Sequence, residues 1–186
     1  MAVKQHIDAI LDELNHALSQ IDHEQASCLV DAIAGARKVF IAGAGRSGLA
    51  MRGFAMRLMH LGIHAYVVGE IVTPSIASGD LLLVGSGSGS TTSLLANVRK
   101  ACDLGAKVGL ITIQKDSPIG KLAHIVLVVP APSPKIEKKL SFSSVQPMGA
   151  LFEQGLALTL DAIVMELMTA TGQRSDDMFA RHANLE

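Results

Sequence analysis

The sequence has 186 residues, with 16 Lys and Arg against 17 Asp and Glu; this balance argues against a dedicated nucleic-acid binder, which usually carries a strongly basic face. Hydrophobic residues make up 49% of the chain, enough for a sizeable core, but the length is too short for two full domains. Only 18% of the residues are charged, against a usual share of roughly 25%, which indicates self-association that covers part of the surface.

The cysteines and the N-terminal segment bear on the compartment. Cys28 and Cys102 form neither a disulfide framework nor a zinc-binding set, and they predict buried thiols in a reducing environment. No apolar run reaches the roughly 18 residues of a membrane span. Residues 1–14 mix charges into their apolar pattern, unlike a signal peptide. We therefore expect a cytoplasmic protein with no membrane segment.

Helices are predicted over residues 1–36. An apolar stripe with spacings of three and four comprises Val3, Ile7, Ile10, Leu14, Leu18 and Ile21. Asp22, with Gln25 three residues later, resembles a capping box that would open a second helix, and Gly35 suits the end of that helix.

Residues 37–130 alternate short apolar runs with helical segments. The predicted strands are 39–42, 65–68, 81–84, 108–111 and 125–129, and the predicted helices are 47–61 and 91–104. Runs this apolar are typical of parallel strands that are buried on both faces. The pattern predicts an α/β fold, a three-layer sandwich around a five-stranded parallel sheet, with extra helices at both ends of the chain.

A proline-rich loop at 131–148 and a long helix over 149–171 follow. The loop carries Lys135, Lys138 and Lys139, which are either a solvated charge run or a rim that attracts phosphate. The helix is apolar on more than one face, so we expect it in the core or between subunits. Gly172 ends this helix, and residues 173–186 read as a short polar tail.

The first predicted strand leads into the turn 43–48, Gly-Ala-Gly-Arg-Ser-Gly, which has the G-x-G-x-x-G pattern between a strand and a helix. Glu70 follows the second strand, where a dinucleotide-binding fold places the acid that binds ribose. On these residues alone, a nicotinamide or flavin nucleotide stays open as the ligand.

A second glycine loop, 85–91, favours a different ligand. Its sequence, Gly-Ser-Gly-Ser-Gly-Ser-Thr, joins the third strand to a helix, so backbone amides, hydroxyls and a helix N-terminus come together. This chemistry suits one phosphate monoester, whereas a dinucleotide does not need a second, hydroxyl-rich loop. If strands one and three flank the reversal of strand order, Ser47 and the 86–91 loop face one pocket.

Together these loops resemble those of the SIS (sugar isomerase) domain family, whose hallmarks are a glycine turn with a Ser after strand one and Ser-x-Ser-Gly-x-Thr after strand three. Residues 45–48 and 86–91 carry this resemblance. Further motifs are similar to the 6-phospho-3-hexuloisomerases of that family, and they lie at 40–48, 56–62, 69–70, 73–74, 146–149, 151–153 and 181–186. The resemblance covers nearly the whole chain. It implies a single SIS domain over 1–186 with a flavodoxin-like or Rossmann-like sheet.

The resemblance also implies an activity. The family interconverts D-arabino-3-hexulose 6-phosphate and D-fructose 6-phosphate through an enediol, in the ribulose monophosphate pathway of formaldehyde fixation. It implies a phosphorylated hexulose as substrate, a homotetramer with sites between subunits, no cofactor and no metal. Isomerisation of another phosphosugar, or non-catalytic phosphosugar binding, stays open as an alternative.

Two residues are candidates for the proton transfers of such an isomerase. Glu153 lies near the start of the long apolar helix, where burial can tune a carboxylate base, and the resemblance places the base on this helix. The alternative role for Glu153 is a first-turn acid that complements the helix dipole. The resemblance also implies a proton-shuttle or ring-opening role for His182, because related isomerases use a His, often from a neighbouring subunit.

The remaining candidates bind substrate. The predicted phosphate ligands are Ser47, Ser86, Ser88 and Thr91. Other residues expected at the substrate are Arg46, Gly45, Gly87, Gly89, Glu70 and Thr73. For Arg46 the alternative is a structural or interfacial ion pair, and for Glu70 and Thr73 it is a surface turn.

Overall fold

The structure is a computed structural model that describes residues 2–134, 136 and 142–185. The prediction of a phosphate-attracting rim at Lys135, Lys138 and Lys139 lies outside the described residues. The helices are α1 Val3–Leu18, α2 His23–Ala34, α3 Gly45–His60, α4 Thr92–Asp103, α5 Ala150–Thr171 and α6 Ser175–Phe179. The strands are β1 Val39–Gly43, β2 Ala65–Val67, β3 Leu81–Gly85, β4 Lys107–Thr112 and β5 Ile125–Val128.

The five strands form one parallel sheet in the order β2-β1-β3-β4-β5, which confirms the predicted α/β fold. Val39 of β1 is in register with Ala65 on one side and with Leu81 on the other. The chain starts in the middle of the sheet, builds outward to β2, and then returns to β3 on the other side of β1. The strand order therefore reverses between β1 and β3, where open sheets of this kind bind their ligands.

Alternate residues of each strand pack into different layers because strand side chains point to opposite faces. Val39 and Ile41 of β1 join a core that includes α1, α2, α3 and α5. Phe40 and Ala42 join a second core that includes α4. The sheet is thus covered on both faces, as the apolar strands predict.

The start of α2 departs from the predicted capping box. The Asp22 carboxylate accepts a hydrogen bond from the Gln25 backbone N–H at 2.9 Å, as expected of an N-cap. The second hydrogen bond of a capping box, from the Asp22 N–H to the Gln25 side chain, does not form. The Gln25 side-chain carbonyl instead accepts from the Val128 N–H of β5 at 3.0 Å. Gln25 thereby ties α2 to the edge strand of the sheet.

Helix α5 buries one face and leaves another open. Leu156, Leu160 and Leu167 are among its buried residues, whereas Leu158 and Met165 are 47% and 69% exposed. Gly172 ends the helix in the left-handed conformation, with φ of 66°, as predicted. The segment predicted as a polar tail begins with the short helix α6.

Two remaining expectations concern the cysteines and the membrane. Cys28 is exposed and Cys102 is half-buried, so the prediction of buried thiols is wrong. Cys28 lies on the outer side of α2, whose inner side carries Leu29 and Ile33. Among the described residues, no helix combines the length and the apolar character that crossing a bilayer requires.

Candidate active site

A cleft of about 280 Å³ opens at the carboxyl ends of β1 and β3. Its walls come from the glycine turn after β1, the glycine loop after β3 and the first turn of α5. The predicted site residues on its lining are Gly45, Arg46, Ser47, Ser86, Gly87, Ser88, Thr91 and Glu153. The reversal of strand order brings the two loops together, because the two helices that leave adjacent strands lie on opposite faces of the sheet.

The first wall depends on close packing of the turn 43–48. A Cβ on Gly48 would lie 2.8 Å from the Gly43 carbonyl oxygen, so the start of α3 rests directly on the end of β1. Gly45 adopts φ of 58°, which an L side chain rarely takes. This turn directs Arg46 and Ser47, in the first turn of α3, into the cleft.

The second wall offers hydroxyls. Ser86 is buried, Ser88 and Thr91 are half-buried, and all three line the cleft. The Ser88 Oγ accepts a hydrogen bond from the Ser90 N–H at 3.3 Å, which leaves its proton to donate. Within the described part of the chain, the side-chain hydroxyls of Ser47, Ser86 and Thr91 make no hydrogen bond. They are therefore available to a ligand.

The third wall carries the acid. Glu153 lies in the first turn of α5, and its Oε2 forms an ion pair with Arg46 Nη1 at 2.9 Å. The Glu153 side chain is 23% exposed and that of Arg46 is 61% exposed, so the pair lies at the mouth of the cleft. The second carboxylate oxygen, Oε1, has no hydrogen-bond partner among the described residues.

The electrostatics of the cleft favour an anion without a basic patch. Residues at the start of α3, just before α4 and at the start of α5 all line the cleft, so three helix N-termini direct their partial positive charge toward it. Of the described lining residues, Arg46 and Glu153 are charged, and they neutralise one another. An anion bound here would be held by backbone amides and hydroxyls.

Three predicted substrate residues lie off the cleft lining. Glu70 forms an ion pair with Arg52, and the Thr73 hydroxyl donates to the Val67 carbonyl at 2.5 Å, so both stabilise the turn after β2. Gly89 is buried with φ of 59°, and a Cβ there would lie 2.1 Å from the Ser117 Oγ. Its contribution is to the shape of the 85–91 loop.

His182 lies far from the cleft of its own chain. Its ring stacks on that of His60 with centroids 5.4 Å apart, and His60 is the last residue of α3, whereas Arg46 lies in the first turn. That separation along a helix corresponds to roughly 21 Å. Arg181 fixes the segment there, because its Nη1 donates to the His60 carbonyl at 2.9 Å.

His60, on which the His182 ring stacks at the end of α3, is itself buried. Burial first, and then the charges of Arg57 and His182, lower the pKa of the His60 imidazole below its ordinary value. His60 is therefore neutral at pH 7, and it packs as a core residue.

Several lining residues were not singled out from the sequence as site residues. Ile113 follows β4 and Ser133 lies beyond β5, so both reach the cleft from carboxyl ends of strands, whereas Met148 comes from the turn before α5. The sequence could have indicated Ile113 and Ser133, because every loop that follows the carboxyl end of a strand in a parallel sheet is a candidate for ligand binding.

Comparison with known proteins agrees with this architecture. The SIS domain family model matches residues 32–158, more than half of the chain. A 3-hexulose-6-phosphate isomerase of Bacillus subtilis (strain 168) is 46% identical over 186 residues, with 100% of both chains covered. The 3-hexulose-6-phosphate isomerase of Mycobacterium gastri is 39% identical over 184 residues, covering 99% of this chain and 92% of that one. A Methanococcus jannaschii protein, whose crystal structure infers a function of 3-hexulose-6-phosphate isomerase, aligns with a TM-score of 0.82 at 33% identity, covering 98% of this chain and 99% of that one. On the family match and these relatives, the chain belongs to the SIS domain family.

Proposed function

We propose that this protein is an isomerase that interconverts D-arabino-3-hexulose 6-phosphate and D-fructose 6-phosphate. The observation that carries the proposal is the cleft in which unpaired hydroxyls and helix N-termini lie opposite the Glu153 carboxylate. Similarity over the full chain to the Bacillus subtilis 3-hexulose-6-phosphate isomerase supports this choice among phosphosugars.

The phosphate binds at the hydroxyl-rich end of the cleft. Ser47, Ser86, Ser88 and Thr91 donate hydrogen bonds to its oxygens, and the N–H groups that lack helical partners at the starts of α3 and α4 add to them. Four hydroxyl donors suit a dianionic monoester, whose three terminal oxygens each accept more than one hydrogen bond. The sugar chain then extends toward α5.

The reaction needs one carbon-bound proton to move between neighbouring carbons. The Glu153 carboxylate removes the proton from C2 of the 3-ketose, which gives an enediol, and returns a proton to C3 while the proton on O2 passes to O3. Electrons and atoms balance within the sugar, so no oxidant or reductant takes part. Glu153 Oε1 has no partner among the described residues, and this oxygen is the one that accepts the proton.

Arg46 acts beside the base. Its guanidinium holds Glu153 Oε2 at 2.9 Å, which fixes the orientation of the carboxylate at the mouth of the cleft. The same cation stabilises negative charge that develops on the substrate oxygens as the enediol forms. Arg46 is therefore a positioning residue in the free enzyme and an electrostatic one during turnover.

His182 serves the site of a neighbouring subunit. This inference follows from its stacking on His60, at the end of α3 remote from its own cleft. In the partner's site His182 moves the hydroxyl proton or opens the fructose 6-phosphate ring. The 3-ketose has no free hydroxyl suited to a five-membered ring, so ring opening matters only from the fructose side.

The functional unit is a cytoplasmic homotetramer of single SIS domains that each span residues 1–186. Exposed apolar side chains support self-association, since Leu49 of α3 is 68% exposed and Met165 of α5 is 69% exposed. Association would cover these faces, and it would bring His182 near a second cleft.

The central test replaces the base. Purified wild-type protein should interconvert the two phosphosugars without added nucleotide or metal, and Glu153→Gln should lose turnover by about 10²–10⁴-fold while fructose 6-phosphate still binds. Glu166→Gln is the matched control, because it makes the same change at an exposed position of the same helix, off the cleft lining. Normal turnover by Glu153→Gln would remove this residue as the base.

A mixing experiment tests the shared site. Glu153→Gln and His182→Ala subunits are co-expressed, and each variant alone should be nearly inactive. Random assembly leaves about a quarter of shared sites with both native residues, so activity should return to roughly that fraction. No recovery would show that His182 does not act across subunits, and full activity of His182→Ala alone would remove its catalytic role.

A further inference from the structure

The segment 142–149 forms part of the cleft, and α1 holds it in place. This segment leads into α5 and contributes Met148 and Gly149 to the cleft lining, immediately before Glu153. Helix α1 contributes no residue to that lining among those described. It lies more than 120 residues earlier in the sequence, yet one of its side chains accepts three hydrogen bonds from this segment.

That side chain is the half-buried carboxylate of Glu13. Its Oε1 accepts from the Val145 N–H at 2.6 Å. Its Oε2 accepts from the Ser144 hydroxyl at 2.7 Å and from the Gln146 side-chain Nε2 at 3.0 Å. The Ser144 Oγ in turn accepts from the Gln146 N–H at 3.0 Å, so the three residues form one network around a single carboxylate.

A second contact between the same elements supports the network. The His16 ring, one turn further along α1, packs edge-on against Phe142 with centroids 4.7 Å apart. Leu14 and Ala17 of α1 are buried in the core, so α1 is itself firmly seated. The helix therefore provides a rigid support to which both Phe142 and residues 144–146 attach.

The segment needs such support because its end is strained. Met148 has φ of 58°, the left-handed region that residues other than glycine rarely adopt, and its side chain is exposed at the cleft. Strained backbone of this kind persists only where the surrounding contacts determine it. The contacts to Glu13 begin two residues before Met148 and fix the path of the chain into α5.

The charge of Glu13 is suited to this role. Burial by itself would raise the pKa of the Glu13 carboxyl, but the hydrogen bonds from Ser144, Gln146 and Val145 outweigh it and hold the pKa below its ordinary value. The carboxylate is therefore ionised at neutral pH, where it can accept all three hydrogen bonds.

The geometry points to Glu13 as a positioning residue. It holds the segment 142–149 so that Met148 and the first turn of α5 present Glu153 correctly to the substrate. The inference rests on the proposed function for the substrate and the reaction. The hydrogen-bond network itself is independent of which reaction the cleft performs.

The test compares Glu13→Gln with Asp12→Asn. Both variants neutralise one acid of α1, but Asp12 is exposed and makes no hydrogen bond among the described residues. For Glu13→Gln we expect kcat to fall by about ten- to hundredfold, as a displaced catalytic group would cause. Affinity and stoichiometry for fructose 6-phosphate should change less than about twofold, because the phosphate ligands lie on other elements. Asp12→Asn should match the wild type.

Hydrogen exchange separates this role from a general loss of folding. Peptides that cover residues 142–152 should exchange faster in Glu13→Gln, while those of the sheet keep their protection. If Glu13→Gln does not fold, Gln146→Ala weakens the network from the other side and should give the same pattern. Unchanged exchange over 142–152, an unchanged kcat, or an equal effect of Asp12→Asn would overturn the inference. If the wild type fails to isomerise the ketose phosphates, the proposed function is wrong. Faster exchange of residues 142–152 in Glu13→Gln then still supports the role of Glu13, and unchanged exchange still excludes it.

Discussion

Replacing Ser86 with alanine removes a hydroxyl whose predicted partner is the substrate phosphate. Ser86 is 5% exposed, lines the cleft and makes no side-chain hydrogen bond among the described residues. Its loss should therefore leave the free energy of unfolding of the ligand-free protein unchanged within about 0.5 kcal/mol. The effect should appear when phosphate binds.

The magnitude follows from the kind of hydrogen bond that is lost. A bond from a neutral hydroxyl to a charged oxygen contributes about 1.5–3 kcal/mol. This corresponds to a loss of affinity of roughly 10–150-fold. Thr159→Val is the matched control, because Thr159 is equally buried but its hydroxyl donates to the Gly155 carbonyl at 2.7 Å within α5. That variant should lose about 0.5–1.5 kcal/mol of stability and keep its affinity.

Titration calorimetry with fructose 6-phosphate and with inorganic phosphate measures the affinities, and differential scanning calorimetry measures stability. Ser86→Ala should weaken both ligands by similar factors, since the lost contact is to the phosphate. A loss confined to the sugar phosphate would show that Ser86 contacts the sugar. Unchanged affinity for both ligands would refute the assignment of the 86–91 loop as the phosphate site.

Two further predictions concern the support of the site. Gly48→Ala places a Cβ 2.8 Å from the Gly43 carbonyl oxygen, so it should lower the free energy of unfolding by about 1–3 kcal/mol in thermal or urea unfolding and reduce turnover. Gly53→Ala on the same helix meets nothing within 4 Å and should raise the free energy of unfolding by about 0.5–1 kcal/mol. Equal effects of the two variants would contradict the packing argument. Burial tends to raise the pKa of the Asp80 carboxyl, but the Arg37 guanidinium holds this pKa below its ordinary value. Asp80 therefore stabilises the fold above pH 3.8, and that contribution disappears as the pH falls through the lowered pKa. Asp80→Asn should lower stability at pH 7 by about 1–3 kcal/mol and flatten the loss below pH 3.8 in urea titrations, and an unaltered pH profile would exclude this role.

Local sequence was sufficient for most of the elements. Each strand of the sheet was predicted from a short apolar run, because strands buried on both faces require one regardless of their neighbours. The glycine patterns at 43–48 and 85–91 likewise predicted two strand-to-helix turns, since few residues other than glycine tolerate their backbone angles and close contacts. Helix boundaries shifted by only one or two residues, as for α3, which begins at Gly45.

Side-chain partners were less predictable. Gln25 has the spacing of a capping box but bonds to Val128, because β5 lies within reach once the sheet forms. Cys28 is exposed because it lies on the outer side of α2, whereas Cys102 is half-buried and packs against the core that includes α4. In each case the choice depends on which surface packs against the helix, and composition does not specify that surface.

The sequence by itself determined the fold class, the two glycine-rich loops and the acid on α5, because these depend on periodicity, backbone freedom and residue type within short segments. Only the tertiary structure decided which groups meet. The strand order β2-β1-β3-β4-β5 brings Arg46 to Glu153, and it places His182 at the opposite end of α3 from the cleft. Glu13 meets residues 144–146 for the same reason: contacts across more than 130 residues follow from packing of the whole chain, which no local pattern encodes.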